Sequence, residues 1–331
     1  MMPRKSGRFP DATPSSSLPI RIGVSRCLLG DEVRFDGGHK RDQFLTDVLG
    51  RYVEWVPVCP EVEAGFGTPR EAMRLFGDRE RPQLMTIVSH RNMTTPLTVF
   101  TKRKLETLEE MALSGYIFKK DSPSCGLERV KLFDAQGMPR RIGVGLFARA
   151  FKERFTLVPV EDEGRLCDPA LRDNFIERVF CYHRWQLLVR GSPTRGSIVT
   201  FHTVHKYVLM AHCREGYQSL GRLVARAHCF TPKALAAVYG RLFMTTLAVK
   251  ATRRKHLDVL QHLVGHLKKR LEAKERAELN AALSDYQQGL VPLIVPLTLV
   301  KHYVMMHEIE YVQHQVYLHP HPKELMLRND V

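Results

Sequence analysis

Apolar and polar positions alternate between two periods along the first half of the chain. Residues 20–25 (IRIGVS) form a short β-rich run that ends at Cys27, residues 52–58 (YVEWVPV) a second that ends at Cys59, and residues 83–89 (QLMTIVS) a third. Residues 98–115 (TVFTKRKLETLEEMALSG) switch to helical spacing. Phe100, Leu105, Leu108, Met111 and Ala112 fall on one side, and Gly115 is the expected stop. Residues 116–118 (YIF) predict another strand, 140–155 (RRIGVGLFARAFKERF) a turn and a helix, and 156–160 (TLVPV) a closing strand. This alternation predicts an α/β domain with a parallel sheet, in which ligands gather at the carboxyl ends of the strands.

The pattern changes after residue 160. Residues 161–164 (EDEG) read as a turn, and 169–191 as a helix with Pro169 near its first turn. Residues 191–196 (GSPTRG) read as a linker. From about Ser197 the spacing is helical almost to the end. Leu257, Leu260, Val264, Leu267 and Leu271 form one stripe, with Arg253, Arg254, Lys268, Lys269 and Arg270 largely off it. An all-α second domain follows, without internal repeats.

Composition narrows the class. A length of 331 residues predicts two domains, and 44% apolar content is enough for a core. No apolar run reaches the ~18 residues of a membrane span; the nearest, residues 290–300, is short and carries two prolines. The basic, Ser/Pro-rich start lacks a secretory core and predicts a disordered leader over residues 1–17. Seven scattered cysteines predict a reducing, cytoplasmic setting and thiols used as ligands or core filler. Net charge is +15, and residues 195–276 hold 16 Lys and Arg against four acids. Such a surplus predicts a polyanionic partner, nucleic acid before membrane surface, with an ordinary solvated face as the competing explanation.

Candidate chemistry sits in three loops. SRCLLG, VPVCPEV and DSPSCG each place one cysteine, Cys27, Cys59 and Cys125, just past a strand or within turn residues. Their spacing fits neither a zinc knuckle nor a ferredoxin run. Loops at strand ends can nevertheless converge, and three thiolates leave a metal one open position. Taken singly, each cysteine could instead be a small buried hydrophobe. Cys167, Cys181, Cys213 and Cys229 read as packing residues, and His202, His205 and His212 as surface or core groups. The GVG of residues 143–145 is too short a fingerprint for a phosphate cradle and reads as a turn.

At this point three stretches carry a resemblance. Residues 27–40 (CLLGDEVRFDGGHK), 58–75 (VCPEVEAGFGTPREAMRL) and 118–130 (FKKDSPSCGLERV) resemble the thiouracil desulfidase family of the TudS type, in the family's order. Residues 201–212 (FHTVHKYVLMAH) and 220–225 (LGRLVA) resemble the YbgA-like helical domain often fused to it. The expected layout is a leader (1–17), a Rossmann-like desulfidase domain (18–162), a helix and linker (163–197) and a helical, RNA-binding domain (198–331). The resemblance implies an oxygen-sensitive [4Fe-4S] cluster held by Cys27, Cys59 and Cys125, one iron lacking a protein ligand. Thiocarbonyl sulfur would bind that iron, water would attack the polarised carbon, and hydrosulfide would leave without net electron transfer.

The resemblance also points to a catalytic glutamate and serine. Glu61, two residues beyond Cys59, is expected as general acid/base, and Ser122 as the hydroxyl that positions water or relays a proton, with Ser124 its rival. Gly38, His39, Lys40 and Arg70 lie in similar loops and are expected, with Ser124, to contact substrate. The basic helical segment favours 4-thiouridine in tRNA, with free thiouracil or thio-UMP as the alternative, and no obligatory protein partner. A tRNA sulfur insertase would need an SGGxDS-like loop, which the sequence lacks; a non-catalytic iron–sulfur regulator that binds RNA is the remaining alternative.

Overall fold

A computed structural model describes residues 18–329 and 331; the expected leader over residues 1–17 lies outside them. Pro19–Gln186 and Leu187–Val331 form two compact units.

The first unit contains β1 (Arg21–Ser25), β2 (Glu54–Val58), α1 (Pro60–Glu63), β3 (Met73–Gly77), β4 (Pro82–Thr86), α2 (Thr94–Glu110), β5 (Gly115–Phe118), β6 (Val130–Phe133), β7 (Pro139–Gly143), α3 (Leu146–Arg154), β8 (Val160–Asp162) and most of α4 (Pro169–Arg190). Four strands in the order β2-β1-β5-β8 form a wholly parallel sheet. This is the α/β architecture that the alternation predicts. Ser25 pairs with Val58 and Val24 with Ile117, so β1, β2 and β5 end side by side. Tyr116, Phe118, Phe147 and Phe151 are fully buried against one another. Each contributes on the order of 1.5–3 kcal/mol of transfer free energy.

Several local expectations are corrected. A second sheet, β4-β3-β6-β7, is mixed, and residues 83–89 feed it rather than the parallel series. Residues 139–143, read as a turn, are the antiparallel edge strand β7. The closing strand begins only at Val160; of the EDEG turn, Glu161 and Asp162 are the strand's buried end, while residues 163–164 form the turn. Arg165 Nε bonds Glu161 Oε1 at 2.7 Å, which offsets the cost of burying that carboxylate. Helix α2 stops at Glu110, and Ala112 makes the turn with φ 52°. Gly115 therefore lies inside β5, where an added Cβ would stand 2.7 Å from the Val179 side chain of α4.

The second unit is helical: α5 (Arg195–His212), α6 (Arg214–Ala225), α7 (Pro232–Ala248), α8 (Arg253–Leu267), α9 (Ala273–Gln288), α10 (Ile294–Met306) and the short α11 (Glu310–Gln313). Thr194, Thr231 and Thr252 cap α5, α7 and α8, each accepting a backbone N–H three residues on. The leucine stripe is buried except at Val264, which is half-buried beside buried Leu263. Arg253, Arg254, Lys268, Lys269 and Arg270 are exposed. Among the described residues, no single helix is long and apolar enough to cross a membrane.

Of the four cysteines read as packing residues, only Cys181 is buried; Cys167 and Cys229 are exposed and Cys213 is half-buried. All seven are free thiols. His202, His205 and His212 are core groups.

Candidate active site

Each cysteine is delivered by the end of one of three neighbouring parallel strands. Cys27 lies on a single 3₁₀ turn after β1, closed by left-handed Gly30. Its carbonyl accepts the Lys40 N–H at 2.9 Å, and the Leu28 carbonyl accepts the Asp42 N–H at 2.9 Å. Cys59 follows β2 and caps α1, whose first residue is Pro60; Glu63 Oε1 accepts the Cys59 N–H at 2.8 Å. That single turn holds Glu61 next to the thiol.

Cys125 comes from the loop after β5, and helix α3 holds the loop. Its first N–H groups would otherwise be unsatisfied. Gly145 N–H bonds the Gly126 carbonyl (2.8 Å), Leu146 N–H that of Pro123 (3.1 Å), and Phe147 N–H that of Ser124 (3.0 Å). The helix start following the GVG is thus spent on the cysteine loop. An added Cβ at Gly145 would stand 2.5 Å from the Ser124 carbonyl, so this approach requires glycine. Within the loop, Ser122 Oγ accepts the N–H groups of Ser124 (3.2 Å) and Cys125 (3.1 Å).

The three thiols share one cavity of about 310 Å³, also lined by Glu61, Arg70 and Ser122. Desolvation pushes the Cys27 thiol up to about 11, opposed by nearby Lys119. Burial likewise raises Cys59 and, strongly, Cys125. Among the described residues, no group of three or more His, Cys, Asp and Glu side chains is arranged to hold a single metal ion.

Glu61 is enclosed by two partners. Ser124 Oγ–H donates to Oε1 at 2.5 Å, while Arg70 donates to Oε2 through Nε (2.8 Å) and Nη2 (2.5 Å). The Arg70 side chain is 7% exposed and that of Glu61 11%. Arg70 Nη1 continues to the carbonyls of Val33 and Gly67, both at 3.0 Å. Arg70 and Ser124, expected to contact substrate, therefore spend their donors on Glu61 and its surroundings. Ser124 is fully buried and does not line the cavity.

The structure brings Cys27, Cys59, Cys125, Glu61, Ser122 and Arg70 to one wall. It does not bring Gly38, His39 or Lys40 there. Gly38 closes a turn with Arg34 and Asp36, His39 Nδ1 accepts the Arg41 N–H at 3.2 Å, and Lys40 supports Cys27 through its backbone. Sequence reading missed Arg34, Phe35, Lys119 and Lys120, which line the same cavity. An aromatic inside the polar RFDGG loop and the KK before DSPSCG were the available signals.

The model of the "2-thiouracil desulfurase" family matches residues 22–163, and that of a "Protein of unknown function (DUF1722)" matches residues 206–322. The chain is 29% identical over 158 residues to "Uncharacterized protein YbgA" of Escherichia coli K12, covering 47% of this chain and 94% of that one. It is 31% identical over 110 residues to "Uncharacterized protein YbbK" of Bacillus subtilis 168, covering 32% and 72%. A solved structure described as a [4Fe-4S]-dependent thiouracil desulfidase TudS shares 28% identity, with TM-score 0.38 and coverage of 46% and 96%. Through the unit that carries its three cysteine loops, the chain belongs to the 2-thiouracil desulfurase family, with a DUF1722 region following in the same polypeptide.

Proposed function

We propose that the chain is a desulfidase that exchanges the sulfur of a thiolated uridine for oxygen, with 4-thiouridine in tRNA as substrate and uridine and hydrosulfide as products. The observation that carries this reading is the meeting of Cys27, Cys59, Cys125, Glu61 and Ser122 in one cavity at the ends of parallel strands. The three thiols suit a [4Fe-4S] cluster, because thiolate is the donor such clusters take and a cube binds each thiolate at a different iron rather than at one point. Their burial favours the neutral thiol, so loading would displace protons. When bound, the cluster supplies a thiophilic Lewis-acidic iron with no protein ligand.

The chain's own groups then have separable tasks. A hydroxyl has one donor and two acceptor positions. Ser122 uses its acceptors on two backbone N–H groups, which leaves its proton to point a hydrogen bond at water or the departing group. Ser124 has spent its proton on Glu61. Glu61, held on both oxygens and lining the cavity, is the acid/base for the attacking water. Water adds its oxygen to carbon, the C–S bond breaks, and hydrosulfide and one proton are released without electron transfer.

The surplus of basic residues in segment 195–276 supports tRNA as the substrate, and the seven free thiols support a cytoplasmic setting. Free thiouracil is the second reading, since the family's description names it and the cavity lies wholly within the first unit. The test is anaerobic reconstitution followed by incubation with 4-thiouridine tRNA, thio-UMP and thiouracil, reading thiouridine absorbance and sulfide. Turnover of none would overturn the desulfidase; turnover of small substrates alone would overturn tRNA.

A further inference from the structure

The core behind the three cysteines holds a polar atom that the fold itself does not use. Tyr116, within β5, is fully buried, and its hydroxyl has no hydrogen-bond partner among the described residues. Four buried tyrosines of the second unit are each satisfied. The hydroxyl of Tyr207 bonds His266 at 2.7 Å, that of Tyr239 His202 at 3.3 Å, that of Tyr303 Glu278 at 2.6 Å and that of Tyr317 His256 at 2.9 Å. Around Tyr116 stand Phe118, Phe147 and Phe151, with ring centres 4.1, 6.0 and 4.7 Å away. Phenylalanine would fill that space without the cost of an unpaired buried hydroxyl.

The hydroxyl lies close to the ligand thiols. Tyr116 pairs with Gly23 of β1, which pairs in turn with Val56 of β2. The ring covers Gly23, where any side chain would collide with it. Neighbouring strands are ~4.8 Å apart, so a side chain that starts on β5 and covers β1 carries its hydroxyl toward β2. Cys125 belongs to the same buried cluster as Tyr116, Val56 and Val58. Burial holds the phenol well above its usual range, and Cys125, Glu63, Cys59 and Cys27 push it the same way, Cys125 foremost of the four. The hydroxyl therefore keeps its proton and is a standing donor. Glu63 is already engaged, Oε1 by the Cys59 N–H and Oε2 by Lys104 Nζ, both at 2.8 Å. Sulfur is the acceptor left. A neutral thiol accepts weakly, whereas a thiolate ligand accepts well.

We propose that Tyr116 acts through Cys125: once the three cysteines ligate iron, its hydroxyl donates a hydrogen bond to the Cys125 thiolate. Drawing charge from that sulfur makes the bound cluster a stronger Lewis acid and raises its reduction potential. The assignment rests on the cluster-bearing part of the desulfidase reading, and its readouts need no substrate.

The test compares the full-length wild type with Tyr116→Phe, as apoprotein and after anaerobic reconstitution. Apo Tyr116→Phe is expected to unfold at the same or a higher denaturant concentration, because it sheds an unpaired hydroxyl. A lower midpoint would show that the hydroxyl already has a partner, such as a buried water, and would overturn the assignment. In the loaded protein, a titration followed by EPR is expected to find the variant about tenfold harder to reduce, a fall of ~59 mV in a one-electron midpoint. The wild type's iron–sulfur stretching bands should shift in D2O, and the variant's by less. A reduction equilibrium within twofold of wild type, a higher midpoint potential or an undiminished D2O shift would each overturn it. A variant that folds as apoprotein but no longer retains the cluster upholds it, since only the loaded state then needs the hydroxyl. If the wild type itself takes up no cluster, the cluster reading fails first and in plain view, and the assignment falls with it.

Discussion

Glu61 reaches its position through two residues that no local motif pairs with it. Arg70 lies nine residues on and Ser124 sixty-three. Burying a carboxylate without such partners is costly. Arg70→Ala should therefore cost on the order of 3–5 kcal/mol of stability in denaturant unfolding; a loss below 1 kcal/mol would mean the clamp is dispensable. Glu61→Gln keeps the shape and the Ser124 and Arg70 neighbours. It should retain the cluster's visible absorbance while turnover falls ~100-fold or more. Cys125→Ala should lose both the absorbance and the activity, an outcome read directly from the spectrum. His202 supplies a pH-dependent term elsewhere. Burial, reinforced by Lys206, lowers it to about 4, and its Nδ1 lies 3.3 Å from the Tyr239 hydroxyl. An unfolded His takes a proton near 6.5, the folded one only near 4, so the unfolded state binds more protons in between. Stability should fall as pH drops through that window, by roughly 3 kcal/mol at most, and His202→Gln should flatten the slope. The cysteines were readable because an apolar run followed by a thiol and turn residues is a local signal. The Glu61 clamp is not, because loop packing creates it.

Among the elements, α3 has the least obvious task. Its N–H groups are met by carbonyls of the loop bearing Cys125, so a helix start that resembles an anion site is consumed internally. Gly145→Ala would push a methyl against the Ser124 carbonyl. We expect a loss of about 1–3 kcal/mol, together with weaker iron binding in reconstitution titrations; unchanged stoichiometry would separate the helix from the site. Helix α2 and the strands ending at Cys27 and Cys59 were legible from apolar period. The mixed sheet was not, since β6 alternates over only four residues and β7 is almost wholly exposed, with no alternation of its own. Residues 161–162 looked like a turn because their carboxylates are buried against Arg165, a partner that composition does not reveal.

For the molecule as a whole, charge is the property that reaches furthest. The basic residues of segment 195–276 include Arg253 and Arg254 at the exposed start of α8. If tRNA is the partner, log Kd should vary linearly with log salt, and the double change Arg253→Ala, Arg254→Ala should lower the slope by between ~1 and ~2. An unchanged slope in a filter-binding series would remove those two residues from the interface. Chain order alone established the α/β unit, the helical unit and the three cysteine-bearing strand ends, because period and turn chemistry are written in neighbouring residues. Which serine serves Glu61 and which arginine clamps it depend on side chains far apart in sequence. Those assignments exist only once the parallel register of β2, β1 and β5 sets the loops side by side.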